Sequence, residues 1–238
     1  MKISFTLLST ILFTLSKVIN GQELLTETNT HIFWQEDRKL TIYDFQGEPG
    51  PIDIKYCKEN GACVGACLGL FLKVDIPKNY RKSKLEKVYL APAFEKTCSF
   101  VVSDSNDIRD GQLLFDVAEI SSRIARKLLK EYHNYMAIES DTMNFYLIKE
   151  NPDTILITGV GTSLAWHVKD SAWTFYEEMS KSYLSNMYSS SESEGFEAWR
   201  ILVDEYLENL SMYATKPEDC YRMVKTKPIE RNYKPAKQ

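Results

Sequence analysis

The chain has 238 residues, of which 44% are hydrophobic and 12% aromatic, and its formal net charge is −4 at pH 7. This length and composition exclude a disordered protein and predict one domain with a hydrophobic core. The mildly acidic charge, with both signs mixed along the chain, argues against nucleic acid as a partner.

The N-terminus has the features of a signal peptide. Lys2 precedes the apolar run 3–15, which is too short to cross a bilayer as a helix and suits the core of a signal peptide. We expect cleavage after Gly21, so that residues 1–21 are removed. No later segment is apolar for long enough to span a membrane. The mature protein is therefore expected to be periplasmic or secreted.

All five cysteines lie in the expected mature chain: Cys57, Cys63, Cys67, Cys98 and Cys220. An exported protein keeps disulfides if its compartment is oxidising, and this spacing lacks the paired C-x-x-C form of a zinc ribbon. We therefore predict one or two disulfides rather than a metal site, with an odd cysteine left over. Cys98 has no histidine close in sequence to activate it as a nucleophile.

The first half of the chain is predicted to form strands. Short strands are expected at 31–35 and 40–45, before the turn residues 47–50. Longer strands are predicted at 66–76 and 87–94, where they read as an antiparallel pair on either side of a basic loop.

The pattern then changes to that of a helix. Apolar residues recur at steps of three and four from Leu113 to Leu128, which defines one apolar helix face. Asp107 is a suitable N-cap, and the helix is expected to run to about Tyr132.

Two further helices are expected, one after Asp170 and one from about Phe196 to Leu210, each with an aromatic stripe typical of a core. A short strand is predicted at 154–160. Residues 215–238 are rich in Lys and Pro and are expected to form an extended tail. The predicted fold is α+β, with residues 22–214 as a single domain. It has a small, mostly antiparallel sheet, a long central helix and two C-terminal helices.

Several motifs occur in an order that is known from one protein family. The first is W-x-x-x-x-x-L-T-x-x-D-F-x-G, matched by Trp34, Leu40, Thr41, Asp44, Phe45 and Gly47. The second is F-x-x-x-x-S-W, matched by Phe94, Ser99 and, in place of Trp, Phe100. The third is H-E-Q-x-H-F-D-I-x-E with two following arginines, matched by Gln112, Phe115, Asp116, Val117 (in place of Ile), Glu119, Arg123 and Arg126. A later segment is echoed by Tyr188, Gly195 and Trp199.

From about His31 to Tyr213, the chain thus resembles the domain-of-unknown-function-922 family, exported bacterial proteins described as zinc-dependent proteases. The resemblance implies a zincin-like fold, with zinc as the cofactor of intact relatives. In H-E-x-x-H, two histidines one helical turn apart bind Zn²⁺ and the glutamate activates the metal-bound water.

The departures from the family pattern fall on the catalytic positions. Asp110 and Leu114 replace the two histidines, and Gly111 replaces the glutamate. Glu194 aligns with the histidine that the resemblance suggests as a third ligand. The resemblance therefore implies a catalytically inactive relative with a binding or envelope-associated role, with no catalytic residues and no cofactor. Its partner is unknown and could be a protein.

The remaining polar residues of the helix have two interpretations each. Asp116, Glu119 and Arg123 are either remnants of the groups that once oriented zinc ligands or members of a solvated or ion-paired helix face. Arg123 and Arg126 either hold a buried carboxylate or face water. His31, His133 and His167 show no ligand spacing.

Two alternative functions stay open. One is a hydrolase with a shifted site in which Asp110, Glu119 and Glu194 hold a hard cation such as Ca²⁺ or Mg²⁺. Glu194 also fits a capping box with Ser191, which is a purely structural role. The other alternative is an unrelated exported α+β binding module.

Overall fold

A computed structural model describes residues 24–61, 63–79, 86–102, 108–139, 147–149, 154–156, 160–187 and 192–236. The predicted signal peptide, Asp107 and Ser191 lie outside these ranges, as do the side chains of His133 and Glu194.

The described residues form an α+β fold. The helices are α1 (Pro51–Asn60), α2 (Arg109–Glu139), α3 (Val160–Met187), α4 (Glu192–Asn209) and α5 (Pro217–Val224), with short 3₁₀ turns at Ile42–Asp44 and Ser211–Tyr213. The strands are β1 (His31–Phe33), β2 (Val64–Gly65), β3 (Leu68–Pro77), β4 (Lys87–Glu95), β5 (Phe100–Val101), β6 (Leu147–Lys149), β7 (Thr154–Leu156) and β8 (Tyr233–Pro235).

The main sheet has four antiparallel strands in the order β1-β4-β3-β8. The pairing of β3 with β4 confirms the predicted hairpin, and it runs in register from Leu68 opposite Phe94 to Asp75 opposite Lys87. Alternate residues of β3, from Leu70 to Ile76, point into a core that also contains residues of α2 and α3. The opposite face of the sheet packs against α5. Helices therefore cover both faces of the sheet.

The predicted strand at 40–45 is wrong. Residues Ile42–Asp44 form a 3₁₀ turn instead. Asp44 is buried and accepts hydrogen bonds from the backbone N–H and hydroxyl of Thr41, at 2.7 and 3.0 Å. Arg38 donates two more to the same carboxylate. A side chain that satisfies its own local backbone in this way favours a turn over a strand.

The predicted helices all form, with different ends. α2 continues seven residues past Tyr132, and α3 begins at Val160, ten residues before Asp170. α4 covers the third predicted helix, and Thr154–Leu156 covers part of the predicted strand at 154–160. The helix α1 was not predicted; Pro51 begins it, and Gly61, with a φ of 74°, ends it.

The C-terminal residues differ from the expected extended tail, because they contain α5 and β8. Arg222 of α5 donates two hydrogen bonds, of 2.7 and 2.6 Å, to Asp75 of β3, and both side chains are buried. Lys73 donates to three carbonyl groups at the end of α5. β8 pairs with the end of β3. These polar contacts hold the C-terminal segment on the sheet.

Four of the cysteines form two disulfides, Cys57–Cys63 and Cys67–Cys98, and Cys220 is a buried free thiol. This confirms the predicted disulfides and the odd cysteine. In the part of the chain that the structure describes, no helix combines the length and apolarity needed to cross a membrane.

We expect the two disulfides to contribute unequally to stability, because the loops they close differ in length. The bonded cysteines are 6 residues apart in Cys57–Cys63 and 31 apart in Cys67–Cys98. The loop-entropy relation gives about 2.4 and about 3.7 kcal/mol respectively. Urea unfolding of the two paired Cys→Ala variants should therefore show the larger loss for Cys67 and Cys98. A larger loss for Cys57 and Cys63 would contradict this.

Candidate functional site

The N-terminal half of α2 carries the positions where the family resemblance places zinc chemistry. Leu113, Val117 and Ile120 of this half are completely buried against α3 and α4. The same stretch faces the N-terminal residues 32–45 on another side. At this site, the N-terminal half of α2 thus meets the N-terminal segment on one side and the helices α3 and α4 on another.

Asp110, in the place of the first histidine, is engaged by α3. It lies in the first turn of α2 and accepts a hydrogen bond from the hydroxyl of Tyr183. The Tyr183 ring is completely buried and lies edge-on to Trp199 of α4, with 5.5 Å between ring centroids. Asp110 therefore links α2 to a packed aromatic cluster.

Gly111, in the place of the catalytic glutamate, is buried against the N-terminal motif. A Cβ atom at this position would lie 2.9 Å from Cζ of Phe45 and 3.3 Å from Cγ1 of Val64. The Phe45 ring is itself packed edge-on against Phe94, with 5.0 Å between centroids. A glutamate side chain at 111 would have to displace this ring.

Leu114, in the place of the second histidine, is part of an apolar cluster. It packs against a cluster that includes Tyr183 of α3 and Phe196 and Trp199 of α4. Its side chain has no atom that can bind a metal. The residues present at 110, 111 and 114 therefore do not fit a catalytic zinc ion.

Two of the three residues suggested for the alternative cation site lie far apart along α2, and the side chain of the third, Glu194, lies outside the described residues. Asp110 and Glu119 are nine residues apart on one helix, which separates them by about 13 Å along its axis. Both cannot contact one cation at oxygen distances of about 2.4 Å. Within the described ranges, no three His, Cys, Asp or Glu side chains are grouped closely enough to hold a metal.

Asp116 is almost completely buried and receives three hydrogen bonds. Trp34 Nε1 and Gln112 Nε2 donate to its Oδ1 at 2.8 and 3.0 Å, and Arg200 of α4 donates to its Oδ2 at 2.7 Å. Gln112 also accepts from the backbone N–H of Leu40 at 2.8 Å. The carboxylate therefore joins α2 to the N-terminal segment and to α4.

Arg200 retains its charge in this position. Its burial disfavours the charged form, but its interactions with Asp204 and Asp116 outweigh that cost and raise its pKa. The sequence gives no signal for this role of Arg200, since nothing in the local pattern of α4 shows that its partner lies 84 residues earlier.

Glu119 is completely buried and its carboxylate is surrounded by donors. Arg123 and Arg126 donate to Oε1 at 2.8 and 3.1 Å. Thr215 donates from its backbone N–H to Oε1 at 2.8 Å and from its hydroxyl to Oε2 at 2.5 Å. The two arginines thus hold a buried carboxylate, as one of the two interpretations expected. Thr215 was missed, because the expected tail offered no reason to place it here.

The two arginines extend this network to distant parts of the chain. Arg123 donates to the carbonyl of Leu207 in α4. Arg126 donates to the carbonyls of Leu90 in β4, at 2.7 Å, and of Tyr213, at 2.5 Å. The network therefore connects α2 to the sheet, to α4 and to the segment before α5.

The N-terminal motif is held by the turn that contains Asp44. Burial raises the cost of the Asp44 charge, but hydrogen bonds from Arg38 and Thr41 more than offset it, and the pKa of Asp44 is lowered. Gly47 follows this turn, and a Cβ there would lie 2.8 Å from the backbone carbon of Cys98. Only glycine permits this close approach to the backbone.

The residues of the first three motifs thus form one connected cluster around the N-terminal half of α2, although they are spread over residues 34–126. Of the two histidines whose side chains are described, His31 hydrogen-bonds Thr30 and His167 is exposed on α3. Every carboxylate oxygen of Asp116 and Glu119 already accepts a hydrogen bond. This arrangement favours a structural role over acid–base chemistry.

Compared with known proteins, the chain has no significant match to a family model, a curated protein or a solved structure.

We expect Gly111→Ala to destabilise the protein, although the same change in an open helix stabilises it by about 1 kcal/mol. Crowding of the Phe45 ring should cost about 2 kcal/mol, which leaves a net loss of about 1 kcal/mol. In a Phe45→Leu background the ring is gone, and the sign should reverse. Urea unfolding of the four chains of this cycle measures both effects. An increase in stability from Gly111→Ala alone would show that the position has room.

Proposed function

We propose that this protein is an exported, catalytically inactive relative of a zinc-dependent protease that acts by binding. One observation carries the proposal. Residues 111 and 114, at two of the positions that should supply the general base and a zinc ligand, pack against apolar side chains. The motif residues around them are joined by buried hydrogen bonds.

The chemical part of the argument rests on what the side chains can do. A zinc hydrolase of this type needs two ligand atoms one helical turn apart and a base between them. Leu114 supplies no ligand atom and Gly111 supplies no base. Loss of a general base alone costs a factor of about 10²–10⁴ in rate. Such replacements in one motif are expected to abolish the reaction.

The relationship to the protease family is supported by where the matched residues lie. Trp34 and Leu40 come from the first motif, yet both bond to Gln112 or Asp116 of the third. An accidental match of letters gives no reason for such contacts. The long helix α2, packed on an antiparallel sheet, is also the arrangement expected of a zincin-like fold.

Export is the expected location of this protein. Two disulfides and the absence of a membrane-spanning helix from the described residues are consistent with it. We propose that residues 1–21 direct export and that the mature chain begins after Gly21. An envelope-associated binding role follows from this location and from the lost chemistry.

The proposal predicts that the mature chain, produced with its disulfides and incubated with ZnCl₂, retains far less than one zinc per chain after dialysis. It also predicts no cleavage of unfolded casein. Elemental analysis and a gel assay measure the two quantities.

Stoichiometric zinc together with cleavage would overturn the proposal. The matched variant is Asp110→Asn, which keeps a partner for Tyr183 but removes the charge. Any cleavage dependent on Ca²⁺ or Mg²⁺ and lost in Asp110→Asn would establish the carboxylate hydrolase instead.

A further inference from the structure

The outer face of α4 carries a group of exposed apolar side chains. Ile201 is 61% exposed, and Leu202 and Tyr206 are each 37% exposed. Residues four apart lie on the same side of a helix, so Leu202 and Tyr206 form one row and Ile201 belongs to the neighbouring row. Single exposed apolar residues are ordinary, but adjacent ones on one face form a patch.

The orientation of this patch is set by the opposite side of α4. Trp199 and Val203 are buried in the cluster with α2 and α3. Arg200 is held by Asp116 at 2.7 Å. Because these contacts fix the rotation of the helix, Ile201, Leu202 and Tyr206 cannot turn inward.

Exposed acidic residues accompany the apolar ones. Glu197, Glu205 and Glu208 lie in the row that contains Ile201 and are exposed. In the described part of the chain, none of the three forms a salt bridge. The charge of Arg200 is taken up by Asp116 and Asp204, at 2.7 and 2.6 Å. The outer face of α4 is therefore both apolar and negatively charged.

We propose that the outer face of α4 binds a basic amphipathic segment of another protein. Lysine and arginine side chains of that segment pair with Glu197, Glu205 and Glu208, while its apolar side chains pack on the exposed patch. Charge complementarity selects this occupant, since a second copy of the same acidic face or an anionic membrane surface would be repelled. α4 is 18 residues, or about 27 Å, long, which suits a helical segment of similar length.

This surface lies on the side of α4 turned away from α2. Binding of a partner to this surface does not depend on whether residues 110, 111 and 114 support catalysis. Failure of the experiment below would therefore leave the proposed loss of catalysis untouched, and the reverse also holds.

The test uses a fluorescein-labelled synthetic peptide of about 18 residues, the length of α4, with lysine on one helical face and leucine on the other. The mature chain is titrated against it, and anisotropy is recorded. Binding is expected, and it should weaken at least about tenfold between low salt and about 0.5 M NaCl, because the charged contacts are exposed. A matched peptide with glutamate in place of lysine should not bind.

Two paired variants remove the two parts of the surface. Ile201→Gln with Tyr206→Gln removes apolar contact, and Glu205→Lys with Glu208→Lys reverses charge; each should raise the peptide Kd at least about tenfold. The matched controls are Ile52→Gln on α1, where the residue is 82% exposed, and Glu178→Lys on α3. Neither control should change the Kd by more than about twofold. All these side chains are exposed, and thermal melting checks that each variant folds.

Several results would overturn the proposal: no binding of the lysine peptide, equal binding by the α4 variants, or tighter binding of the glutamate peptide. Two other results would overturn it by showing that the surface binds a different partner. One is binding of phosphatidylglycerol vesicles that the α4 variants abolish, and the other is self-association in sedimentation that the same variants abolish.

Discussion

The buried carboxylate of Glu119 is the interaction on which the rest of this structure depends. An isolated buried charge is too costly for a folded protein to carry, so its partners must be present and correctly placed. Here Arg123 and Arg126, from the next two turns of the same helix, and Thr215, from the C-terminal segment, satisfy both oxygens. The helix thus carries the acceptor and two of its three partners.

The two arginines also fix the positions of other elements relative to α2. Each has donors left over after bonding Glu119, and these reach backbone carbonyls of β4, α4 and the segment before α5. The second buried carboxylate, Asp116, does the same for the N-terminal segment through Trp34 and for α4 through Arg200. The two networks lie about one turn apart on α2 and place the surrounding elements relative to it.

The proposed loss of catalysis is consistent with where these two networks lie on α2. They adjoin the first two turns of α2, where the proposed relationship to zinc proteases aligns Asp110, Gly111 and Leu114 with metal-site positions. Phe45 and the Tyr183 hydroxyl occupy the space beside those turns. Under the proposed function, this scaffold does not need a metal site, because its hydrogen bonds do not involve residues 110, 111 or 114. Binding can then use other surfaces, such as the outer face of α4.

Local patterns in the sequence predict the β3–β4 hairpin and the helices α2, α3 and α4, but not α1, α5 or β8, and not the contacts between distant residues. Alternation in β3 and the three–four spacing in α2 are direct consequences of strand and helix geometry. The residues Ile42–Asp44 form a turn and not the predicted strand because the Asp44 carboxylate accepts hydrogen bonds from the backbone N–H and hydroxyl of Thr41. The contact of α5 with the sheet includes the pair of Arg222 with Asp75, which lies 147 residues earlier. No local pattern reveals a partner at that distance.

The most direct test of this account is the free energy of unfolding of the Glu119→Gln variant. Glutamine has the shape of glutamate but leaves the buried Arg123 and the partly buried Arg126 without a counter-charge, so the loss should be about 3–5 kcal/mol. Glu131→Gln, at an exposed position of the same helix, should change stability by less than about 0.5 kcal/mol. Equal stabilities for the two variants in urea unfolding would contradict the claim that Glu119 holds the fold together.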